Sequence, residues 1–253
     1  MPHAGGLWYE WHGPEAGEVL ILSPGVGGSG SYWTPNLAAL SRRYRVLVYD
    51  HRGTGRSGAP GETVSIGSMA ADVRALMDEL GITRPYFLGH AIGGMIALEL
   101  GDALAKRVVV NGWPRLDPHT ERCFETRLEL LRAGGPEAYV RAQPIFLYPA
   151  VWSSMNSGML DLEAEHQLER FPPAATVEKR IAAARAYELR PGPPCPTLLI
   201  AAADDVLVPA HCSELLAGEL ADAKVARLER GGHACNVTEP DAFNRLVLEF
   251  LRS

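Results

Sequence analysis

The sequence predicts an α/β protein in which a doubly wound, mostly parallel sheet carries an inserted helical cap. Short apolar runs alternate with amphipathic helical patterns along most of the chain, and one central stretch has helical patterns alone. Strands that alternate with helices form parallel sheets, because each helix carries the chain back across a face of the sheet. The central break in this alternation predicts the insertion.

Five apolar runs have the length of buried strands. They are continuous rather than alternating, which is typical of strands that are covered by helices on both faces of a sheet. They lie at 19–22, 46–49, 86–88, 108–110 and 197–200, and the segment 224–228 is also strand-like.

Helical patterns lie between these runs. In the segment 69–80, Val73, Leu76 and Met77 fall on one stripe, and Gly81 suits the end of a helix. Similar patterns occupy 95–104 and 242–251, so we expect helices in those segments as well.

The stretch 114–194 has no convincing strand. Its helical patterns lie at 120–131, 136–142, 161–169 and 177–189, and prolines and glycines separate them. We therefore predict a core of residues 1–113 and 195–253 and a helical cap of residues 114–194. The run 191–194 leads the chain from the cap back to the sheet. Lids over open α/β sheets enclose substrates, whereas the alternative is a second small domain packed elsewhere.

The composition is that of an ordinary globular chain, with 253 residues and a formal net charge of −6. This charge disfavours nucleic acid and anionic membrane surfaces as partners. The four cysteines form no CxxC pair, the N-terminus has no signal-peptide pattern, and no apolar segment is long enough to span a bilayer. We expect a cytoplasmic protein, a monomer or homodimer, with no cofactor and no metal.

Ala91 lies at the centre of a strand–turn–helix motif, Gly89-His90-Ala91-Ile92-Gly93. In enzymes with a G-x-S-x-G turn, this central position carries a serine nucleophile above the sheet. Alanine has no oxygen, sulfur or acidic proton, so no covalent acyl-enzyme forms at this position. Any chemistry at the turn must proceed without that intermediate.

Asp205 and His233 are the candidate acid–base pair. Asp205 follows a predicted strand and lies four residues before Pro209, whereas its neighbour Asp204 is interpreted as a turn or helix-capping residue. His233 follows two glycines near the C-terminus, where the third member falls in the order nucleophile, acid, histidine. We expect Asp205 to fix the tautomer of His233 and to stabilise its protonated form.

Two backbone N–H groups are the candidate anion donors. Val26 lies in the glycine-rich loop 23–29 after the first long strand, and Ile92 follows the alanine of the turn. These positions supply the two donors of an oxyanion hole in proteins with this turn, although a tight turn without a catalytic role is the alternative. The loop 50–57 is interpreted as structural, with His51 as a packing or surface residue.

These motifs follow one another as they do in the α/β-hydrolase family, which the chain resembles. The stretches that carry the resemblance are 25–33, 49–57, 89–94, 204–209 and 231–238. More narrowly, the segments 110–115, 119–124, 142–150 and 233–238 are similar to those of hydrolases from the pyrimidine-utilisation pathway, whose turn can carry alanine. The resemblance implies a role in uracil breakdown through hydrolysis of carbamate or 3-aminoacrylate.

Both implied substrates are small anions that break down after proton transfer, so neither requires an acyl-serine. A cap arginine, Arg115 or Arg122, is the candidate counter-charge, although a solvated helix face is the alternative for each. Two other functions remain open. One is a serine esterase or amidase in which alanine replaces the serine at position 91 by engineering, and the other is a non-enzymatic protein that keeps the fold.

Overall fold

Eight strands form a single sheet in the computed structural model, which describes residues 2–190 and 192–253. The sheet order is β1-β2-β4-β3-β5-β6-β7-β8, and the pairs from β4–β3 onward are parallel. The predicted α/β class with a mostly parallel sheet is therefore confirmed. The strands are β1 (His3–Ala4), β2 (Leu7–His12), β3 (Val19–Ser23), β4 (Arg45–Tyr49), β5 (Tyr86–His90), β6 (Lys106–Val110), β7 (Thr197–Ala202) and β8 (Ala223–Leu228).

The first two strands were not predicted from the sequence. β1 pairs with β2, and β2 pairs antiparallel with β4 through a register that sets Tyr9 opposite Tyr49. The turn between β1 and β2 is made by Gly5 and Gly6, both with positive φ. The segment 7–12 mixes aromatic, charged and aliphatic residues, so it lacks the continuous apolar run by which most of the other strands were predicted.

Helices cover both faces of the sheet. One hydrophobic cluster joins α2 and α3 to one face, and a second joins α1 and α10 to the other. The predicted helix 95–104 is too long, because α3 ends at Leu100 and Gly101 then takes a φ of 58°. The helices are α1 (Thr34–Leu40), α2 (Ile66–Glu79), α3 (Ile92–Leu100), α4 (Pro118–Leu147), α5 (Ala150–Met155), α6 (Ser157–Glu169), α7 (Ala174–Arg185), α8 (His211–Gly218), α9 (Cys235–Thr238) and α10 (Pro240–Arg252).

The helices α4 to α7 lie between β6 and β7 along the chain. We call residues 114–194 the cap segment, although the division of the chain at 113 and 195 stays a prediction and Pro191 lies outside the described residues. Gly135 has a φ of 68° and interrupts α4, so this helix has a first arm (118–134) and a second arm (136–147).

The start and end of the cap segment pair with each other. The backbone N–H of Leu189 donates to the carbonyl of Pro114 at 2.7 Å, and Arg115 forms an antiparallel bridge with Glu188. The predicted helix 177–189 is therefore too long, since α7 ends at Arg185 and the next residues pair across this neck. Among the helices of the described residues, none has the length and apolar character needed to cross a membrane.

Candidate active site

Ala91 occupies a strained turn between β5 and α3. Its backbone angles are φ 48° and ψ −113°, its side chain is buried, and its N–H donates to the carbonyl of Val110 at 2.8 Å. Such angles cost a non-glycine residue about 1–3 kcal/mol and persist only where the surrounding structure imposes them. The turn therefore keeps the shape that presents a nucleophile, while the residue presented is alanine.

The glycines of the turn allow the backbones to approach closely. A Cβ atom on Gly89 would lie 2.2 Å from the carbonyl carbon of Gly93, and one on Gly93 would lie 2.5 Å from the carbonyl oxygen of Ser23. Contacts this short exclude side chains at both positions. The start of α3 is thereby held against the loop that follows β3, which brings the N–H of Ile92 towards that loop.

His233 and Asp205 form a buried hydrogen-bonded pair. Nδ1 of His233 lies 2.8 Å from Oδ2 of Asp205, and both side chains are almost fully buried. The other oxygen, Oδ1, accepts hydrogen bonds from the backbone N–H groups of Leu207 at 2.8 Å and Val208 at 2.9 Å. Because a carboxylate accepts, the proton of the neutral imidazole lies on Nδ1, and Nε2 carries the lone pair.

Nε2 of His233 has no hydrogen-bond partner among the residues that the structure describes. The loop that carries the histidine is fixed from several sides. The carbonyl of His233 accepts from Nε2 of His90 at 2.8 Å and from Nδ2 of Asn111 at 2.7 Å, and Oδ1 of Asp204 accepts from the N–H of Gly232 at 2.8 Å. The imidazole is therefore held in place while its basic nitrogen stays available for proton transfer.

His90 supports the position of His233. Its ring lies 4.6 Å from the ring of His233, centroid to centroid, with the planes 65° apart. Burial, followed by the nearby imidazole of His233, holds the pKa of His90 well below its usual value. His90 is thus a neutral donor to the backbone and positions the loop of His233.

The glycine-rich loop after β3 is a β-turn whose outward N–H groups are available. The N–H of Gly28 donates to the carbonyl of Gly25 at 3.0 Å, which closes the turn around Val26. Among the described residues, no acceptor is bound to the N–H of Val26 or to that of Ile92, the first residue of α3. A helix N-terminus adds a favourable potential for an anion, so their assignment as anion donors stays a prediction with suitable geometry.

His51 holds this loop from below. Its Nε2 donates to the carbonyl of Pro24 at 3.0 Å, and its backbone N–H donates to the carbonyl of Gly28 at 2.8 Å. Burial and the nearby Arg180 guanidinium lower the pKa of His51 to about 3, so the ring is neutral at physiological pH. His51 is therefore a packing residue, as one of the two predicted alternatives has it.

Arg180 of the cap segment binds this loop, and its sequence context did not predict this role. This residue of α7 is only 1% exposed. Its guanidinium donates to the carbonyls of Val26 at 3.1 Å and Gly27 at 3.4 Å, and to Arg52 and Thr54. Burial lowers its pKa to about 10, which leaves it charged at neutral pH. The cap segment thereby fixes the loop that carries Val26 and adds a positive charge beside it.

The structure does not bring Arg115 or Arg122 into this group. Arg115 is 61% exposed and pairs with Glu219 at 2.7 Å. Arg122 is exposed on the first arm of α4 and donates to the carbonyl of Pro118 at 3.2 Å. Both arginines are exposed to solvent, as the alternative interpretation of each predicts. The arginines that the cap segment buries are Arg127 and Arg180.

Cys235 lies two residues after the candidate base and is fully buried. Burial and the nearby Asp205 carboxylate raise the pKa of its thiol above the usual range. A thiol with a raised pKa is a poor nucleophile, so Cys235 does not replace the missing serine.

Taken together, these groups combine a positioned imidazole, its orienting carboxylate and unpaired N–H groups around a turn with no nucleophile. Such an arrangement is suited to transferring protons and to holding a small anion, and it has no group at position 91 to acylate. Buried acid–base pairs of this kind are characteristic of functional sites, because catalysis needs the protonation of its groups to be controlled by burial and by charged neighbours.

The known proteins that the chain resembles are alpha/beta hydrolases. The alpha/beta hydrolase family matches residues 19–246. The chain is 48% identical over 256 residues to a protein of Caulobacter vibrioides named "Putative carbamate hydrolase RutD", with 97% of this chain and 95% of that protein covered. A protein of the same name from Rhizobium rhizogenes is 44% identical over 262 residues, with 98% of each chain covered.

Among solved structures, the chain is similar to the enol-lactonase of Burkholderia xenovorans LB400. The TM-score is 0.88 at 27% sequence identity, and the match covers 98% of this chain and 96% of the other. The likeness extends over the sheet and the cap segment together.

Proposed function

We infer the function from the family to which the chain belongs: it is a member of the alpha/beta hydrolase family and, within it, of the RutD group. It is accordingly a hydrolase that acts on C–N bonds. We propose that its reaction is the breakdown of carbamate or 3-aminoacrylate, with release of ammonia, during uracil degradation. We propose further that this reaction uses His233 and Asp205 and no serine nucleophile.

The observation that carries the proposal is the pair formed by His233 and Asp205 beside a turn that presents Ala91. Nδ1 of His233 lies 2.8 Å from Oδ2 of Asp205, and Nε2 is unbonded among the described residues. A chain that had lost all catalysis would need neither a buried acid–base pair nor the strained turn. Their joint presence favours a reaction driven by proton transfer over a purely structural role.

For 3-aminoacrylate, protonation at the carbon next to the carboxylate gives an iminium ion. Water then adds to the carbon that bears nitrogen, as His233 removes one proton from the water at Nε2. The same imidazole returns this proton to the nitrogen, and the C–N bond breaks with its electron pair leaving on ammonia. As the carbonyl forms, the hydroxyl proton passes to Nε2, which regenerates the imidazolium that protonates the carbon at the start of the cycle. The products are ammonia and the aldehyde of a three-carbon acid, so one water is consumed. Proton transfer of this kind contributes roughly 10²–10⁴-fold.

For carbamate, the proton goes to nitrogen. Protonated His233 donates from Nε2, the C–N bond breaks towards nitrogen, and ammonia and carbon dioxide leave. Asp205 stabilises the imidazolium before the transfer. Both reactions therefore use the same nitrogen of the same ring, and they differ in whether carbon or nitrogen receives the first proton.

The N–H groups of Val26 and Ile92 are suited to a carboxylate oxygen of either substrate. They replace the hydration that a small anion loses on entering a closed site. The positive charge of Arg180 lies directly behind Val26, because its guanidinium donates to that residue's carbonyl. Both features favour an anionic substrate over a neutral one.

Time-resolved NMR of freshly generated 3-aminoacrylate, with and without the protein, tests the proposal. We expect the aminoacrylate signals to disappear at least ten-fold faster with the protein, with ammonia formed in equal amount. Carbamate is assayed in parallel, and the substrate with the larger acceleration is assigned to the enzyme. If neither compound decays faster than in buffer, the proposed reaction is wrong and the non-enzymatic alternative is favoured.

A further inference from the structure

Arg127 is a buried arginine that joins the two arms of α4. It lies on the first arm, is 4% exposed, and donates from Nη2 to the hydroxyl of Tyr139 on the second arm at 2.6 Å. Its Nε is buried and has no hydrogen-bond partner. The bend at Gly135 brings these two residues together, so the contact belongs to the folded cap segment and is not a feature of one straight helix.

No carboxylate lies within ion-pair distance of Arg127 in the parts of the chain that the structure describes. Three aromatic rings surround its guanidinium instead. The guanidinium carbon lies 5.1 Å from the ring centroid of Tyr139 and 5.9 Å from those of Phe124 and Phe146. Cation–π contacts offset part of the cost of burying a charge, but they leave its N–H groups unsatisfied. A buried cation in this state is complementary to an anion.

The helix α4, which carries this cation, spans the two loops that hold Asp205 and His233. The first arm begins against the loop of Asp205, where the hydroxyl of Thr120 donates to the carbonyl of Leu207 at 2.9 Å. The second arm ends against the loop of His233, where the N–H of Ala234 donates to the carbonyl of Leu147 at 3.0 Å. The two arms therefore start and finish on the two loops of the site.

Cys123 gives a second link between Arg127 and the site. It lies one helical turn before Arg127, and its Sγ donates to the carbonyl of Val206, next to Asp205. Burial raises the pKa of the Cys123 thiol, Arg127 opposes that rise and Asp205 adds to it. Cys123 therefore lies within electrostatic range of both the Arg127 guanidinium and the Asp205 carboxylate.

We propose that Arg127 and the hydroxyl of Tyr139 bind the carboxylate of the substrate. The proposal rests on the proposed function only in taking the substrate to be a small anion. Nε and the remaining guanidinium N–H groups donate to the carboxylate oxygen that the N–H groups of Val26 and Ile92 leave unbound. The hydroxyl of Tyr139 accepts from Arg127, and its own proton, which has no acceptor among the described residues, is donated to the same carboxylate.

Arg180 does not compete for this role. Its two terminal nitrogens donate to the carbonyls of Val26, Gly27 and Arg52 and to Thr54. Those bonds fix the loop of the anion donors, so Arg180 is a positioning residue. Arg127 is the buried guanidinium of the cap segment with donors left for a ligand.

Binding of propionate, followed by ligand-observed NMR, tests this site without requiring turnover. Propionamide has the same shape without the charge, so it measures recognition of the carboxylate itself. We expect the wild-type protein to bind propionate at least ten-fold more tightly than propionamide. Arg127→Met should weaken propionate binding at least ten-fold and leave propionamide unchanged. Arg132→Met is the matched control, since Arg132 lies exposed on the same arm and pairs with Glu129 and Glu178.

Tyr139→Phe keeps the ring that covers the guanidinium and removes only the hydroxyl, so it tests the site even if Arg127→Met fails to fold. We expect it to weaken propionate binding at least three-fold. Equal binding of propionate and propionamide, or unchanged propionate binding in Tyr139→Phe and in folded Arg127→Met, would overturn the assignment.

The same titration of His233→Ala separates this proposal from the proposed function. Propionate binding that depends on Arg127 and survives in His233→Ala supports the carboxylate site even if aminoacrylate and carbamate are not turned over. If the substrates are turned over but propionate binding is unchanged in Arg127→Met, the proposed reaction is supported and the carboxylate site is wrong.

Discussion

Replacing His233 by alanine is expected to lower the enzyme-dependent rate of ammonia release by roughly 10²–10⁴-fold, the contribution of a positioned acid–base group. Asp205→Asn is expected to lower this rate by roughly 10²-fold or more, because it changes the tautomer of His233 while the fold is kept. Oδ1 of Asp205 is bound by the N–H groups of Leu207 and Val208, and the oxygen of an asparagine side chain keeps these bonds. The amide nitrogen of the substituted side chain then faces Nδ1 of His233, which forces the imidazole proton onto Nε2 and removes the base.

Asp204→Asn is the matched control for this experiment. Asp204 is adjacent in sequence and only accepts from the N–H of Gly232 at 2.8 Å, which an amide oxygen does equally well. We expect its rate to stay within about two-fold of the wild type, since surface-type changes of this kind are nearly neutral. An equal rate loss in Asp204→Asn and Asp205→Asn would indicate that these two aspartates stabilise their loop and that Asp205 does not act through the tautomer of His233.

Replacing Arg180 by leucine is expected to destabilise the protein by about 3 kcal/mol. The change leaves the buried carbonyl of Val26 and the part-buried carbonyls of Gly27 and Arg52 without their donor, and a fully buried unsatisfied group costs about 1–3 kcal/mol. Removing a buried charge recovers part of this loss, which is why the expected total is smaller than the sum. Thermal unfolding should shift downward by roughly 10 °C for a chain of this size.

Lys179→Met is the control for Arg180→Leu. Lys179 precedes Arg180 on α7, is half-buried and donates to the carbonyls of Gly61 and Glu62 at 3.4 and 3.0 Å. Its replacement is expected to change the free energy of unfolding by no more than about 0.5 kcal/mol. If Arg180→Leu were as stable as Lys179→Met, Arg180 would not be the contact that holds the cap segment on the anion loop.

The site residues that the sequence predicted are those marked by local chemistry. Ala91 is framed by glycines, His233 follows two glycines, and Asp205 follows a strand, so each carries a signal within a few residues of itself. The structure brings Asp205 and His233 to 2.8 Å, while their catalytic role stays a proposal. Backbone constraints of this kind are short-range, and a sequence displays them directly.

The buried arginines carry no such local mark, because their partners lie far away along the chain. Along the chain, three strands and most of the cap segment separate Val26 from Arg180. Arg127 contacts Tyr139 only because Gly135 bends α4. One signal was present: each arginine interrupts the buried apolar stripe of its helix, beside Leu128 and Ile181 respectively. A charged residue on an apolar stripe indicates a buried polar role, whereas Arg115 and Arg122 lie off such a stripe.

Ammonia release measured side by side for the wild-type protein, Ala91→Ser and buffer tests most directly whether the chemistry proceeds without a nucleophile. We expect the wild type to be well above buffer and Ala91→Ser to be no faster than the wild type. A serine hydroxyl at position 91 would compete for Nε2 of His233 and would add nothing to proton transfer. A wild type at the rate of buffer, with Ala91→Ser far above both, would contradict this and identify a serine hydrolase that lacks its nucleophile.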